Sequence, residues 1–98
     1  MLIKIHKSYR YVVSICDSEL LGKTFEQGKR ILEVRDSFFN GEEKEEEETI
    51  ELMKDMARED ATFDIVGKKS CNAALKAGII SKEGIMKVQN VPFALVLL

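Results

Sequence analysis

Residues 62–78 read TFDIVGKKSCNAALKAG and carry the clearest structural pattern in the chain. Thr62 to Val66 is a short run of apolar and β-favouring side chains, and Gly67 interrupts it at once. Beyond the glycine, the positions from Cys71 to Gly78 follow the i, i+3, i+4 and i+7 spacing of one helix face. The stretch therefore predicts a strand, a tight turn and a helix that ends at Gly78.

The segment before this unit has the two-residue period of β-strands. Apolar residues alternate with others over residues 3–5 and again over residues 9–16, with a break at Lys7-Ser8. This predicts a β-hairpin. Tyr9 and Tyr11 fall on the same strand face as the apolar residues after them, so we expect both rings in the core.

Between the hairpin and residue 62 we expect a weak strand and a long helix. Gly22 and Gly28 bracket a turn-rich segment, and residues 31–36 favour a third strand. Asn40 has the character of a helix cap, which predicts a helix over residues 42–59. Its second half is amphipathic and should anchor it to the core.

The carboxyl-terminal part predicts a turn and two more strands. Ser81 to Gly84 is turn-like, and Ile85–Gln89 and Phe93–Leu98 are β-favouring segments on either side of Asn90-Val91-Pro92. The last strand is apolar enough to lie centrally in a sheet or beneath a partner. It therefore also offers a homodimer surface.

These patterns together predict one α+β domain over residues 1–98. We expect a mixed, mostly antiparallel sheet of five or six strands with two main helices, in the order ββ(β)αβαββ. A chain of 98 residues with 45% hydrophobic content suits a single core. Neither a signal peptide's apolar core nor a membrane-length apolar run is visible, so we expect a cytoplasmic protein without a membrane partner.

Charge is unevenly distributed. The formal net charge is −2, yet residues 42–60 carry ten acids and three bases, which leaves the remainder at +5. An excess of this size is compatible with an anionic partner but does not require one. The acidic run itself lacks the ligand spacing of a calcium loop and fits a solvated helix face.

The best candidate site is an anion-binding helix start formed by Gly67, Lys68, Lys69 and Ser70. A glycine lets an anion approach the free N–H groups of a helix start, and two lysines add positive charge. The alternative is that Gly67 only makes a tight turn while both lysines are solvated. By contrast, Leu21-Gly22-Lys23-Thr24 matches only half of a phosphate-binding loop and fits an ordinary turn.

Catalytic and metal motifs are incomplete. His6 has no cysteine or carboxylate nearby at ligand spacing, so we expect no metal and no cofactor. Cys71 follows two lysines near a helix start and could be a thiolate, but its place on the apolar helix row favours burial. Cys16 and Cys71 do not suggest a disulfide framework. We lean towards a protein that is not an enzyme.

Several short motifs, in their order and spacing, resemble a small archaeal family of unknown function, uncharacterised protein family 424. The motifs are Leu21-Gly22-Lys23, Phe25-Glu26, Gly28, Phe39 with Gly41, Val66-Gly67, Gly78-Ile79-Ile80 and Val91-Pro92-x-Ala94. The resemblance spans nearly the whole chain and transfers no catalytic residue. It implies an archaeal cytoplasmic protein. It also implies an association with translation, which rests only on the position of family genes near translation genes.

Two functional hypotheses follow. The first is a non-enzymatic binding module linked to RNA or to ribosomal and translation components, with Lys68 and Lys69 as phosphate contacts. The alternative is a small-molecule anion or phosphate-binding protein, or an enzyme, that uses the Gly67 helix start.

Overall fold

A computed structural model describes residues 1–97, which contain eight strands, three α-helices and two short 3₁₀ turns. The strands are β1 (Leu2–Lys7), β2 (Tyr11–Cys16), β3 (Thr24–Gln27), β4 (Arg30–Glu33), β5 (Glu42–Glu43), β6 (Thr62–Val66), β7 (Met86–Val88) and β8 (Val91–Val96). The helices are α1 (Asp36–Phe39), α2 (Glu46–Arg58) and α3 (Lys68–Ala77), and the 3₁₀ turns are Ser18–Leu20 and Lys82–Gly84.

Six strands form one sheet in the order β5-β1-β2-β6-β8-β7, and β3 and β4 form a separate hairpin. All pairs in the large sheet are antiparallel except β2 with β6, which run parallel. Parallel neighbours need a long crossover, and the chain between residues 16 and 62 supplies it. The predicted α+β fold with a mixed, mostly antiparallel sheet is confirmed.

The two faces of the large sheet are covered differently. On the helix face, α2 and α3 pack over Val13, Ile15, Phe63 and Ile65, which are at most 2% exposed. On the opposite face, which we call the hairpin face, the β3–β4 hairpin and α1 cover a smaller apolar cluster around Cys16 and Val66. Each fully buried aliphatic or aromatic side chain contributes about 1.5–3 kcal/mol to stability. The helix face therefore holds the main core.

Helix α2 begins four residues later than the predicted residue 42. Glu45 and Glu48 form its capping box, and Asn40 instead ends α1, where its Nδ2 donates to Asp36 Oδ1 at 3.2 Å. The segment between them stays extended because β5 pairs with β1. Gly41 lies so close to β1 that a Cβ there would overlap the Ile3 carbonyl oxygen. The predicted helix start was wrong because a strand pairing precedes the helix.

Two further predictions differ in detail. The β7–β8 turn falls at Gln89 and Asn90, both with positive φ, so β8 begins at Val91 and not at Phe93. Leu98, the predicted end of that strand, lies outside the described residues. Tyr9 is fully exposed because β1 and β2 pair only as far as Lys7 with Tyr11, which leaves residues 8–10 as the turn.

None of the helices within residues 1–97 is long and apolar enough to span a membrane.

Candidate functional site

The predicted anion site at the start of α3 already holds an anion that belongs to the chain. Asp17 Oδ2 accepts a hydrogen bond from the Lys69 N–H at 3.1 Å, and Asp17 Oδ1 accepts from the Ser70 N–H and Oγ, both at 2.8 Å. Asp17 is 5% exposed, and a carboxylate at a helix amino terminus also interacts favourably with the helix dipole. Asp17 therefore caps α3 from a distant part of the sequence.

Gly67 permits this cap for two separate reasons. Its φ of 111° is in a region that side chains rarely adopt. A Cβ at position 67 would also lie less than 3.0 Å from the Asp17 carboxylate carbon and both of its oxygens. A glycine is thus required both for the turn and for the close approach of Asp17.

The lysines beside this helix start are both exposed, and only one of them lines a nearby hollow. Lys68 lines a hollow of about 140 Å³ together with Glu19, whereas Lys69 does not line it. An outside anion that used the N–H groups of Lys69 and Ser70 would have to displace Asp17 from them. Anion binding by Gly67, Lys68, Lys69 and Ser70 stays a prediction, and it now includes the cost of that displacement.

A larger concavity, which we call the groove, lies on the hairpin face. Its volume is about 440 Å³, and it is lined by His6 of β1, Asp64 of β6 and the stretch from the end of β4 through α1, namely Glu33, Arg35, Ser37, Phe38 and Phe39. Side chains from three parts of the sequence meet here because β1, β2 and β6 are neighbours. Ion-pairing groups, an imidazole and aromatic rings therefore share one depression.

Asp64, which is partly buried, contributes a carboxyl group to the lining of the groove. It sits opposite Ser14 in the parallel β2–β6 register, yet within residues 1–97 its carboxylate makes no hydrogen bond or ion pair. Burial raises the pKa of this carboxyl group above its ordinary value, since a partly dry environment disfavours the charged form. Asp64 is thus an acceptor for which residues 1–97 supply no donor.

His6 is held in one orientation by its neighbours. Its Nε2 lies 3.0 Å from the Phe38 carbonyl oxygen, which can only accept, so Nε2 must carry a hydrogen. The ring stacks on Phe38 with a centroid distance of 4.4 Å. In neutral His6 this tautomer leaves Nδ1 as an acceptor, and within residues 1–97 Nδ1 has no hydrogen-bond partner.

The contact between His6 and Ser14 does not make a hydrolytic pair. The Ser14 Oγ lies 3.2 Å from His6 Nε2, but it donates to the Phe38 carbonyl oxygen at 2.7 Å, and Ser14 is completely buried. A nucleophile must reach a substrate and must face a base that can accept its proton. Neither condition is met, so Ser14 and His6 serve to attach α1 to the sheet.

Three cations meet at the tip of the β3–β4 hairpin. Lys29 in its turn, Arg30 at the start of β4 and Lys87 of β7, together with Gln27, line a depression of about 330 Å³. The Gln27 side chain accepts a hydrogen bond from the Gln89 N–H at 2.8 Å, which attaches the hairpin to the β7–β8 turn. Within residues 1–97 none of the three cations forms an ion pair. We call these three residues the basic cluster.

Both cysteines are buried and free. Burial, followed by the nearby Asp17 charge, raises the pKa of Cys71 to about 11 and that of Cys16 to about 12. The thiolate hypothesis for Cys71 is therefore not supported. Across the described chain, no three His, Cys, Asp or Glu side chains come together in a way that could hold a metal ion.

Comparison with known families agrees with the motifs that run from Leu21 to Ala94. The family described as "Protein of unknown function (DUF424)" matches residues 6–98. The chain belongs to this family. The resemblance predicted from the sequence is confirmed.

The DUF424 fold is also present in a solved structure. The crystal structure of an uncharacterized conserved protein from Methanopyrus kandleri superposes with a TM-score of 0.87 at 22% sequence identity. The alignment covers 97% of this chain and 88% of the other. At this identity the likeness establishes the shared fold alone. No curated protein matches this DUF424 chain.

Sequence reasoning missed the residues that organise these sites. Asp64 had a visible signal, because it is a lone acid inside the apolar strand Thr62–Val66. Asp17 had no comparable signal, since its role depends on the parallel pairing that places Cys16 beside Val66. The basic cluster was hidden for the same reason, because Lys87 lies far from the hairpin in the sequence.

Proposed function

We propose that this DUF424 protein is a non-enzymatic module that binds structured RNA, in a translation complex, through the basic cluster. The observation that carries the proposal is the convergence of Lys29, Arg30 and Lys87 on one depression whose lining includes no carboxylate. Cations held close together without ion-pair partners attract phosphate groups and contribute most of the affinity in nonspecific RNA binding.

The charge distribution supports the same surface. Outside residues 42–60 the chain carries an excess of five positive charges. At the predicted contacts Lys68 and Lys69, by contrast, the buried Asp17 carboxylate lies at the helix start, and Glu19 lines the hollow beside Lys68. The basic cluster is therefore a better phosphate contact than the helix start.

The cellular setting belongs to the proposal as well. We place the protein in an archaeal cytoplasm, which is supported by its resemblance to an archaeal family and by the relative from Methanopyrus kandleri. An association with ribosomal components accords with a small basic surface.

The test is binding of a fluorescein-labelled RNA hairpin, measured by anisotropy over a range of salt concentrations. We expect affinity to fall as salt rises, because each neutralised phosphate releases counterions. In the triple variant Lys29→Gln, Arg30→Gln, Lys87→Gln, the slope of log affinity against log salt should decrease by roughly 2 to 3.

A matched control removes the same charges elsewhere. The variant Lys54→Gln, Lys82→Gln, Arg10→Gln changes two lysines and one arginine at exposed positions. It should retain most of the binding. Equal loss in both variants would show that net charge alone matters, and absence of binding at low salt would contradict the proposal outright.

A further inference from the structure

The groove on the hairpin face contains a partly buried carboxyl group, that of Asp64, which makes no hydrogen bond or ion pair within residues 1–97. Burial opposes the ionised form of Asp64, and within residues 1–97 no donor or cation offsets that penalty. Unpaired ionisable groups in a concave surface are typical of binding sites, because a ligand supplies the missing partner. The groove is therefore a candidate site in its own right.

The chemistry of the lining selects the ligand class. An anion would be repelled by Asp64 and Glu33, and the Arg35 Nε already donates to Glu33 Oε2 at 3.2 Å. A wholly apolar ligand would remove more water from the Asp64 carboxylate and would supply no compensating charge. A ligand with a positive charge offsets the penalty directly.

The aromatic wall favours an organic cation over a simple ion. The stacked rings of His6 and Phe38 line the groove beside Asp64. The free Nδ1 of His6 adds a second acceptor for an N–H donor. With a volume of about 440 Å³, the groove falls within the usual range of small-molecule sites, roughly 300–1,000 Å³.

We propose that the groove binds a small organic amine, whose ammonium group pairs with Asp64 and whose apolar part lies against the His6–Phe38 wall. This site shares no lining residue with the basic cluster. It is independent of RNA binding, and it assigns a role to an aspartate that the fold itself does not need.

The experiment is a titration of the ¹⁵N-labelled protein with benzylamine, followed by two-dimensional NMR. Benzyl alcohol is the matched ligand, since it has nearly the same size and shape but no charge. We expect saturable shifts for the amides of His6, Phe38 and Asp64 with benzylamine, and much weaker binding of the alcohol. Equal binding of both compounds, shifts confined to other regions, or no shifts with benzylamine would overturn the proposal.

The variant Asp64→Asn tests the predicted ion pair. It should fold at least as well as the wild type at neutral pH, because a neutral side chain removes the burial penalty, and its NMR spectrum checks this. We expect benzylamine affinity to fall at least about tenfold. Asp60→Asn is the control, since Asp60 is exposed and its left-handed backbone suits asparagine. Unchanged affinity in Asp64→Asn, or an equal loss in Asp60→Asn, would refute the assigned role.

Discussion

At the scale of single residues, Gly67 and Asp17 make one contact that joins β2, β6 and α3. Asp17 follows β2 directly, and its N–H donates to the Val66 carbonyl oxygen at 3.0 Å. Its carboxylate then caps α3 across the space that Gly67 leaves open. The contact takes the place of a local helix cap, and it occupies two of the N–H groups that the predicted anion would use.

Replacing Gly67 with alanine should destabilise the protein by about 3 kcal/mol or more, since backbone strain is added and the Asp17 cap is pushed away. Urea unfolding measures the change. Gly28→Ala is the matched control, because Gly28 also has positive φ but no atom lies within 4 Å of a Cβ there. Its cost should be about 1 kcal/mol. Similar losses in the two variants would show that strain alone matters at position 67.

At the scale of elements, α3 and β6 agree closely with their prediction, because their signals are local. An apolar run, a glycine and a helical repeat ending at Gly78 need no distant partner to be interpreted. Gly78 adopts the expected left-handed conformation, and the Ile79 N–H donates back to the Ala74 carbonyl oxygen at 3.2 Å. The predicted start of α2 was wrong, because the pairing of β5 with β1 depends on a distant strand.

Removing the cap of α3 tests this element and the predicted anion site together. Asp17→Ala should lower stability by about 2 kcal/mol, because the N–H groups of Lys69 and Ser70 lose their acceptor. Phosphate should then raise the melting temperature of this variant more than that of the wild type, each compared with sodium chloride at equal ionic strength.

Asp17→Asn keeps one acceptor oxygen and should lose less stability than Asp17→Ala. If phosphate stabilises the wild type as strongly as Asp17→Ala, then the helix start binds an outside anion even with Asp17 in place. The prediction for Gly67, Lys68, Lys69 and Ser70 would gain support from that result.

At the scale of the whole molecule, the large sheet separates two faces that are covered to different extents. The helix face is covered mainly by α2 and α3 and holds the main core. The hairpin face is covered by short elements, which leave the groove and the basic cluster open. The sites proposed for RNA and for an amine therefore lie near the short elements that cover the sheet only in part.

The predicted homodimer through the C-terminal strand also belongs to this scale. Register with β7 ends at Phe93, so Ala94–Val96 pair with β6 alone, and Leu95 and Leu97 are 49% and 75% exposed. If the tail forms a dimer, light scattering should give twice the chain mass at micromolar concentration. Leu95→Lys should restore the monomer, whereas Ile31→Lys, at a site 61% exposed on the hairpin, should not. A monomeric wild type would contradict the dimer.

The order of elements, the α+β class and the family followed from the sequence, because alternation, helical repeats and glycine punctuation are local properties. Burial of Cys71 followed for the same reason, as it lies on an apolar helix row. The cap from Asp17, the exposure of Asp64 to a groove and the meeting of Lys87 with Lys29 and Arg30 came only from the folded chain. Each of them depends on which strands become neighbours, and the pairing of distant segments leaves no periodic signal in the segments themselves.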